Sequence, residues 1–373
     1  MRNELLFLTL KVFSATGGIE KVCRVAGKAF YEYGIEQLCS VRIFSMHDAD
    51  SDAIDNHYFP TTHFKGFQAN KIAFVLAAIK AGCNSNIVVL SHFNLLSVGW
   101  LIKKLSPHTK VCLIAHGIEL WYPLPKHKRK MLQGIDGIFS VSHFTQQTII
   151  QQHGINAQKC NVLHNCLDPF LVTSDQAIDT DGLRQRYGIA ANDAVVFTLT
   201  RLSKVDRYKG YVTVIDAMVT LTHHNQSIKY VIAGKYTKDE KQFLDQYIND
   251  RGLSQHVILT GYIPDDALAA HFKMADVYTM PSVKEGFGIV FIEAMFFGLP
   301  VIAANVDGSV DALANGSLGQ LVTPHAPHLI ATAVQNVLHH KAAYQPNHAL
   351  LMKAFSYETY KRNWYQILQS NKN

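Results

Sequence analysis

The stretch VYTMPSVKEGFGIVFIEAMFFGLPVIAANVDG, residues 277–308, constrains the fold more than any other part of the chain. It opens on an apolar strand (VYTM), passes a Pro-Ser loop, and enters a helix from about Gly288 to Phe297. A Gly-Leu-Pro turn leads into a second apolar strand (VIAAN), and Asp307-Gly308 opens a further turn. Strands that are apolar throughout and joined through a helix belong in a buried parallel sheet. Such runs alternate with helical patterns from end to end, so the class is α/β with parallel sheets. The 373 residues, 48% of them hydrophobic, suffice for two domains with a core each.

Two carboxylates stand out in this apolar context: Glu285 just before the helix and Glu293 inside it. Between them Gly286, Phe287 and Gly288 leave backbone N–H groups open at a helix N-terminus, which suits an anion. Carboxylates would repel a bare phosphate, but they accept hydrogen bonds from hydroxyls. A diphosphate joined to sugars satisfies both halves. The plainer alternative is a solvated loop Glu and a Glu on a polar helix face. The helix reads GIVFIEAMFFG, however, and offers Glu293 little polar face. The chain has neither G-x-G-x-x-G nor G-x-x-x-x-G-K-[ST], which argues against a dinucleotide oxidoreductase and a P-loop enzyme.

The run from Glu285 to Glu293, EGFGIVFIE, resembles the E-x7-E element of retaining glycosyltransferases with the GT-B fold, in particular family 4. Other marks of the family follow one another along nearly the whole chain. The resemblance implies two Rossmann-like parallel-sheet domains facing across a cleft. The first would span residues 1–168 on the acceptor side and the second 169–350 on the nucleotide-sugar side. A C-terminal helix, 351–373, would pack back on the first. A nucleoside-diphosphate sugar is the implied co-substrate, with no other cofactor and no metal.

Taken in order, Leu5–Leu10 reads as the first strand, and Gly17-Gly18 before the next helix resembles the family's Gly-rich loop that approaches the donor diphosphate. After the strand Val41–Ser45, the D-x-D spacing of Asp48, Asp50 and Asp52 reads as a solvated acidic loop and not a metal site. The strand Val111–Ala115 ends in His116-Gly117, and the carboxyl ends of parallel strands are where α/β proteins place ligand groups. His116 resembles the family's active-site histidine, set against the donor sugar. Beyond the strand Val195–Thr200, Arg201 and Lys209 resemble the cation pair that neutralises the donor diphosphate. That leaving group gathers negative charge as the glycosidic bond breaks. Lys204 and Arg207 read as solvated. Glu285 would bind sugar hydroxyls beside the Gly286–Gly288 amides, sharing the catalytic role with His116, and Glu293 would bind the ribose. Tyr262 and Ile263, after the strand Val257–Gly261, resemble the loop whose backbone holds the nucleotide base. A last helix is expected from about Lys353 to Gln369.

The net charge of +6 lies wholly in residues 1–168, with 17 Lys and Arg against 11 Asp and Glu; the remainder is neutral. Lys103, Lys104, Lys110, Lys126, Lys128, Arg129 and Lys130 face a single acid, Glu119, over residues 103–130. A solvated basic face, an anionic membrane surface or a phosphate-bearing acceptor all fit this cluster. A nucleic-acid reader does not, since density and motifs are lacking. No apolar run reaches the length of a membrane-spanning helix, and the N-terminus reads as a buried strand and not a signal peptide. Six cysteines without a C-x-x-C pair suit reduced, buried thiols and a cytoplasmic setting, peripheral to the inner face of the membrane if the basic face binds there.

The resemblance implies a hexosyltransferase that uses a nucleotide sugar and acts, with retention, on a hydroxyl of a glycan or lipid-linked acceptor. GDP-mannose is favoured as donor because similar proteins with a His-Gly-Ile-Glu pattern build mannosylated polysaccharides; UDP-glucose and UDP-N-acetylglucosamine come next. The rivals are a catalytically silent nucleotide- or carbohydrate-binding protein and a sugar-nucleotide epimerase on the same fold.

Overall fold

The computed structural model describes residues 3–171 and 179–370. Within it the chain divides into two compact units, Met1–Phe170 with Phe355–Asn373, and Leu171–Ala354. The first is built on seven parallel strands: β1 (Glu4–Thr9), β2 (Ser40–Ser45), β3 (Phe64–Gly66), β4 (Ile87–Leu90), β5 (Lys110–Ala115), β6 (Gly137–Ser140) and β7 (Cys160–Val162). They lie in the order β3-β2-β1-β4-β5-β6-β7. The chain therefore winds one way from β1 and returns the other way from β4, which puts the topological switch point between β1 and β4.

Right-handed crossovers assign the two winding directions to opposite faces of the sheet. Helix Gly18–Glu36 covers one face, joined there by the terminal helix Tyr357–Ser370. Trp364 anchors that pairing, fully buried against Phe30 and Phe139 with ring centroids 4.8 and 5.2 Å away. Tyr357 and Tyr365 donate hydrogen bonds to Glu32 and Glu36 of the first helix, at 2.7 and 3.0 Å. Helices Lys71–Gly82, Leu96–Leu105, Lys126–Gln133 and His143–His153 cover the opposite face, where Phe74, Ile102, Leu132 and Ile149 join Leu6, Leu8, Val88 and Leu113 in one core.

The second unit repeats the plan with β8 (Ala194–Leu199), β9 (Ile228–Ala233), β10 (Val257–Gly261), β11 (Val277–Met280), β12 (Val301–Ala304) and β13 (Gln320–Val322). Their order is β10-β9-β8-β11-β12-β13, all parallel, with the switch point between β8 and β11. β11 and β12 are buried at every position, as their unbroken apolar sequences require.

One expectation is corrected here, and two strands are added. The single terminal helix from Lys353 is two helices, His348–Phe355 and Tyr357–Ser370, because the Ser356 hydroxyl accepts from the Thr359 N–H and starts a new helix. The short edge strands β3 and β7 escape sequence reasoning because three residues show no periodicity. Residues 172–178 of the expected entry to the second domain, and 371–373 of the expected C-terminal helix, lie outside the described residues. Phe170 stays with the first unit, its ring packed edge-on against Tyr58 at 5.2 Å. All six cysteines are free thiols, and burial pushes Cys23 and Cys112 up to about 12.

Candidate functional site

In the second unit the loops that leave β8, β11 and β12 meet around one ion pair. β8 delivers the chain to Arg201, and a 3-10 turn, Lys204–Lys209, follows. Gly210 closes that turn at φ +85°, so near the end of β11 that a Cβ would stand 2.5 Å from the Pro281 carbonyl oxygen. Only glycine tolerates both the backbone and the approach. The result sets Lys209 Nζ 2.5 Å from Glu285 Oε2, with both side chains mostly buried. Burial works against the Lys209 charge, but Glu285 outweighs it and holds the ammonium above its ordinary pKa.

The Glu285 loop is fixed from β12. Glu285 N–H donates to Asp307 Oδ2 at 2.6 Å, Ser309 N–H donates to Asp307 Oδ1 at 3.0 Å, and Gly308 N–H donates to the Glu285 carbonyl at 2.9 Å. At Gly308 a Cβ would fall 2.0 Å from the Gly286 oxygen, so glycine is the only residue that fits between these loops. Asp307 is buried, and its pKa is pushed up to about 6: burial raises it, the hydrogen bonds from Ser309 and Glu285 oppose that, and the Glu285 carboxylate adds to the rise. Asp307 entered the sequence reading only as a turn residue. Its role depends on a residue 22 positions away, and no local pattern reports it.

Past Glu285, the N–H groups of Gly286 and Gly288 bond to no other described residue, and Gly288 caps helix Ile289–Phe296 at φ +90°. Phe287 points into the core. Glu293 sits on the same helix, 3% exposed, and both it and Glu285 act on the Tyr278 hydroxyl, whose pKa burial raises most. Arg201 differs from Lys209: its side chain is 76% exposed and meets Asp206 at 3.3 Å. Tyr262 is 58% exposed beyond β10, whereas the Ile263 side chain is core, so of the two only Tyr262 presents its side chain to the outside.

Arg207, expected to be solvated, instead grips the buried Glu240 through Nε and Nη2 at 2.8–3.1 Å and lies over the Phe243 ring at 3.5 Å. Tyr211 completes that knot with a 2.7 Å bond to Glu240. Its partners come from helix Lys238–Asn249, some thirty residues on, so the sequence neighbourhood of Arg207 looks merely basic. Lys204 is exposed as expected.

In the first unit the strand-end loops at the switch point carry the other expected residues. The loop after β1 runs to Gly17, the N-cap of helix Gly18–Glu36. Asp48 fixes it by accepting from the N–H groups of Val12 (2.7 Å), Phe13 (3.3 Å) and Ser14 (2.7 Å), and from the Ser45 hydroxyl. Burial pushes the Asp48 pKa up, yet these bonds outweigh it and hold the carboxyl below its ordinary value. The D-x-D loop was expected to be solvated throughout, and Asp48 is the exception. Asp50 and Asp52 are exposed and accept from the Gly66 and Ala49 N–H groups, so this loop spends its acids on backbone. At Gly17 the Glu20 carboxylate lies where a Cβ would come within 2.4 Å of it, so an anion approaching this helix start must displace that carboxylate.

His116 follows β5. Its N–H donates to Glu119 Oε1 at 2.6 Å, and Nε2 lies 2.7 Å from the Ser91 carbonyl oxygen, at the end of β4. Gly117 takes φ +135° to turn the chain away.

Among the basic residues, Lys104, Lys126, Arg129 and Lys130 are exposed. Lys128 is half-buried and donates to Ser97 Oγ at 2.7 Å. Lys103 does not belong to an open face. Its ammonium bonds the Pro107 and Thr109 carbonyls at 2.9 and 3.0 Å and pairs with Asp136 at 2.9 Å, closing the end of its own helix.

Two doubly wound parallel sheets, with glycine-lined strand-end loops at each switch point, define the GT-B class of glycosyltransferase folds. HepE of Anabaena, crystallised with UDP and glucose, matches with a TM-score of 0.81 at 21% identity, over 99% of this chain and 100% of that one. Sucrose-phosphate synthase of Thermosynechococcus elongatus matches at 0.78 and 18% identity, over 99% of each chain. The description "Glycosyltransferase Family 4" fits residues 16–169, and "Glycosyl transferases group 1" fits residues 179–361. The chain belongs to the group 1 glycosyltransferases. The GDP-mannose-dependent alpha-(1-6)-phosphatidylinositol monomannoside mannosyltransferase of Mycobacterium tuberculosis is 30% identical over 246 residues, 63% of this chain and 62% of that protein. The D-inositol 3-phosphate glycosyltransferase of Corynebacterium glutamicum is 28% identical over 199 residues, 52% and 46% of the two chains. The matched segment spans less than two thirds of the length of either relative.

Proposed function

We propose that the protein moves a hexose, with retention of configuration, from a nucleoside-diphosphate sugar to a hydroxyl of a glycan or lipid-linked acceptor. The observation that carries this reading is the mostly buried Lys209–Glu285 pair on a loop held by Asp307. A lone buried cation would bind phosphate, and a lone carboxylate would bind hydroxyls. Only a ligand that carries both gives each partner a reason to let go of the other. Lys209 and the exposed Arg201 then take the diphosphate, with the Gly286 and Gly288 amides and, from the first unit, Gly17-Gly18. Glu285 takes the sugar hydroxyls, Glu293 the ribose, and His116 the reacting sugar. Tyr262 and its loop backbone take the base. GDP-mannose stands first among donors, supported by the name of the mycobacterial relative; UDP-glucose and UDP-N-acetylglucosamine follow.

The ion pair sharpens the binding test. Lys209→Ala and Arg201→Ala should weaken the free nucleoside diphosphate. Glu285→Ala should weaken the sugar nucleotide while the free diphosphate binds as well as before or better, because Lys209 is released from its partner. Calorimetry with GDP, UDP and their sugars reads both, and equal losses of both ligands in Glu285→Ala would sink the assignment. A donor panel with product analysis selects the sugar and separates transfer from epimerisation, which needs no acceptor.

The same reading places the acceptor side near an anionic bilayer. Among the described residues no helix is long and apolar enough to cross a membrane. Helices Lys71–Gly82 and Leu96–Leu105 nevertheless expose Ile72, Leu76, Leu101 and Leu105 on the sheet face that also carries Lys104, Lys126, Arg129 and Lys130. Exposed apolar side chains on a face that also carries cations suit a surface with an anionic headgroup layer over hydrocarbon. Binding to vesicles containing anionic lipid should fall with salt and fall further in Leu105→Glu. Salt-independent binding, or none, would return this face to ordinary solvent.

A further inference from the structure

The hydrogen bonds at the ends of β4 and β5 determine the tautomers of two histidines. His92 accepts through Nδ1 from the Asn94 N–H at 3.0 Å. A backbone N–H can only donate, so Nδ1 carries no hydrogen, and the proton of the neutral ring sits on Nε2. His116 is the reverse case. Its Nε2 lies 2.7 Å from the Ser91 carbonyl oxygen, which can only accept, so Nε2 holds the proton and the neutral ring offers Nδ1 as a lone pair. The rings stand 28° from parallel with centroids 6.3 Å apart, too far to stack on each other and close enough for one polyol to reach both. Neither His92 Nε2 nor His116 Nδ1 is bonded to another described residue, and neither is a buried orphan.

We propose that His92 is a positioning residue for the transfer, donating Nε2–H to a hydroxyl oxygen of the same hydroxyl-bearing ligand from which His116 Nδ1 accepts. A hydroxyl both donates and accepts, so one donor and one acceptor at fixed separation can engage two hydroxyls of one sugar in complementary roles. The surroundings support a neutral His92: burial lowers its pKa most, Glu119 opposes that, His116 lowers it further, and Glu20 opposes weakly. Protonation would also cost the Asn94 bond. The ligand is a sugar hydroxyl, belonging either to the donor hexose or to a glycosyl acceptor. The role rests on the glycosyl-transfer reading; the tautomer pair does not.

Long-range proton–nitrogen NMR on protein labelled in its histidine rings reads the tautomers directly, with His92→Gln and His116→Gln supplying the assignments. At neutral pH His92 should be protonated on Nε2 and bare on Nδ1, and His116 should be bare on Nδ1; a different state at either ring overturns the pair. Kinetics then test the role. His92→Phe keeps the ring volume without a donor and should lose at least tenfold in kcat/KM, while His92→Gln, which restores an N–H near Nε2, should recover most of it. A loss concentrated in the KM of the nucleotide sugar assigns the hydroxyl to the donor, and one concentrated in the KM of the acceptor assigns it there. Equal losses in both variants, matched by a fall in melting temperature, would make His92 merely structural and overturn the role. No turnover in the wild type with any donor would overturn the glycosyl-transfer reading with the tautomers intact, whereas wrong tautomers in an active enzyme would overturn only the pair.

Discussion

The loop after β1 and the loop after β11 are the same device built twice. Each leaves a strand at its sheet's switch point, ends on a glycine at a helix start, and is held by an aspartate from the end of the neighbouring strand. They differ in how the aspartate is satisfied. Asp48 collects three backbone N–H groups and a hydroxyl, and its carboxyl is held below the ordinary value. Asp307 has two backbone N–H groups and the Glu285 carboxylate for company, and is pushed up to about 6. A buried carboxylate is a stable anchor when donors surround it and a costly one when a second acid shares its neighbourhood. The first loop is therefore built for shape, and the second keeps beside its anchor, at a cost in charge, the acid proposed to bind sugar hydroxyls.

Removing the better anchor should have the largest effect. Asp48→Ala strips the acceptor from three N–H groups, while the Ser45 hydroxyl keeps the Leu10 carbonyl as a partner; at roughly 1–3 kcal/mol for each N–H left unpaired, at least about 3 kcal/mol of stability should go. Because its folded pKa is depressed, this contribution is fully present above about pH 4 and disappears only as pH falls through that lower value. Denaturant unfolding at neutral pH measures it, and a change under about 1 kcal/mol would end the comparison.

The second anchor should show the opposite slope. Folding raises the Asp307 pKa from its ordinary 3.8 to about 6, so the folded state holds the proton more tightly. Stability from this group declines as pH rises from about 4 to 6 and is level above, by up to about 3 kcal/mol. Asp307→Asn removes the titration. Whatever its constant offset from lost hydrogen bonds, its stability relative to the wild type should climb over that window. Parallel stability curves for the two proteins between pH 4 and 7 would show that Asp307 is not strained by its charge.

The smallest effect concerns Glu20, which covers the first loop's helix start as a ligand anion would. Glu20→Gln should cost about 0.5 kcal/mol of helix stability and tighten a nucleoside diphosphate by a few-fold. Unchanged affinity would leave diphosphate binding to the second loop alone.

What the residues settle without coordinates is the set of central strands and the loops that follow them. The runs VYTM, IVVL and VIAA are strands because a buried sheet accepts their apolar faces, and the structure has strands buried at every position there. The spacing from Glu285 to Glu293 was legible for the same reason: a carboxylate inside an apolar helix has no solvent to explain it. The partners of these groups were not legible. Glu240 binds Arg207 from 33 residues away, Asp307 holds Glu285 from 22, Asp48 holds Val12 from 36, and Ser91 sets the His116 tautomer from 25. Hydrophobic periodicity is a local property of the chain, imposed by the geometry of one helix or one strand. A buried hydrogen bond is a property of two loops, and only the order of strands in the sheet decides which loops become neighbours.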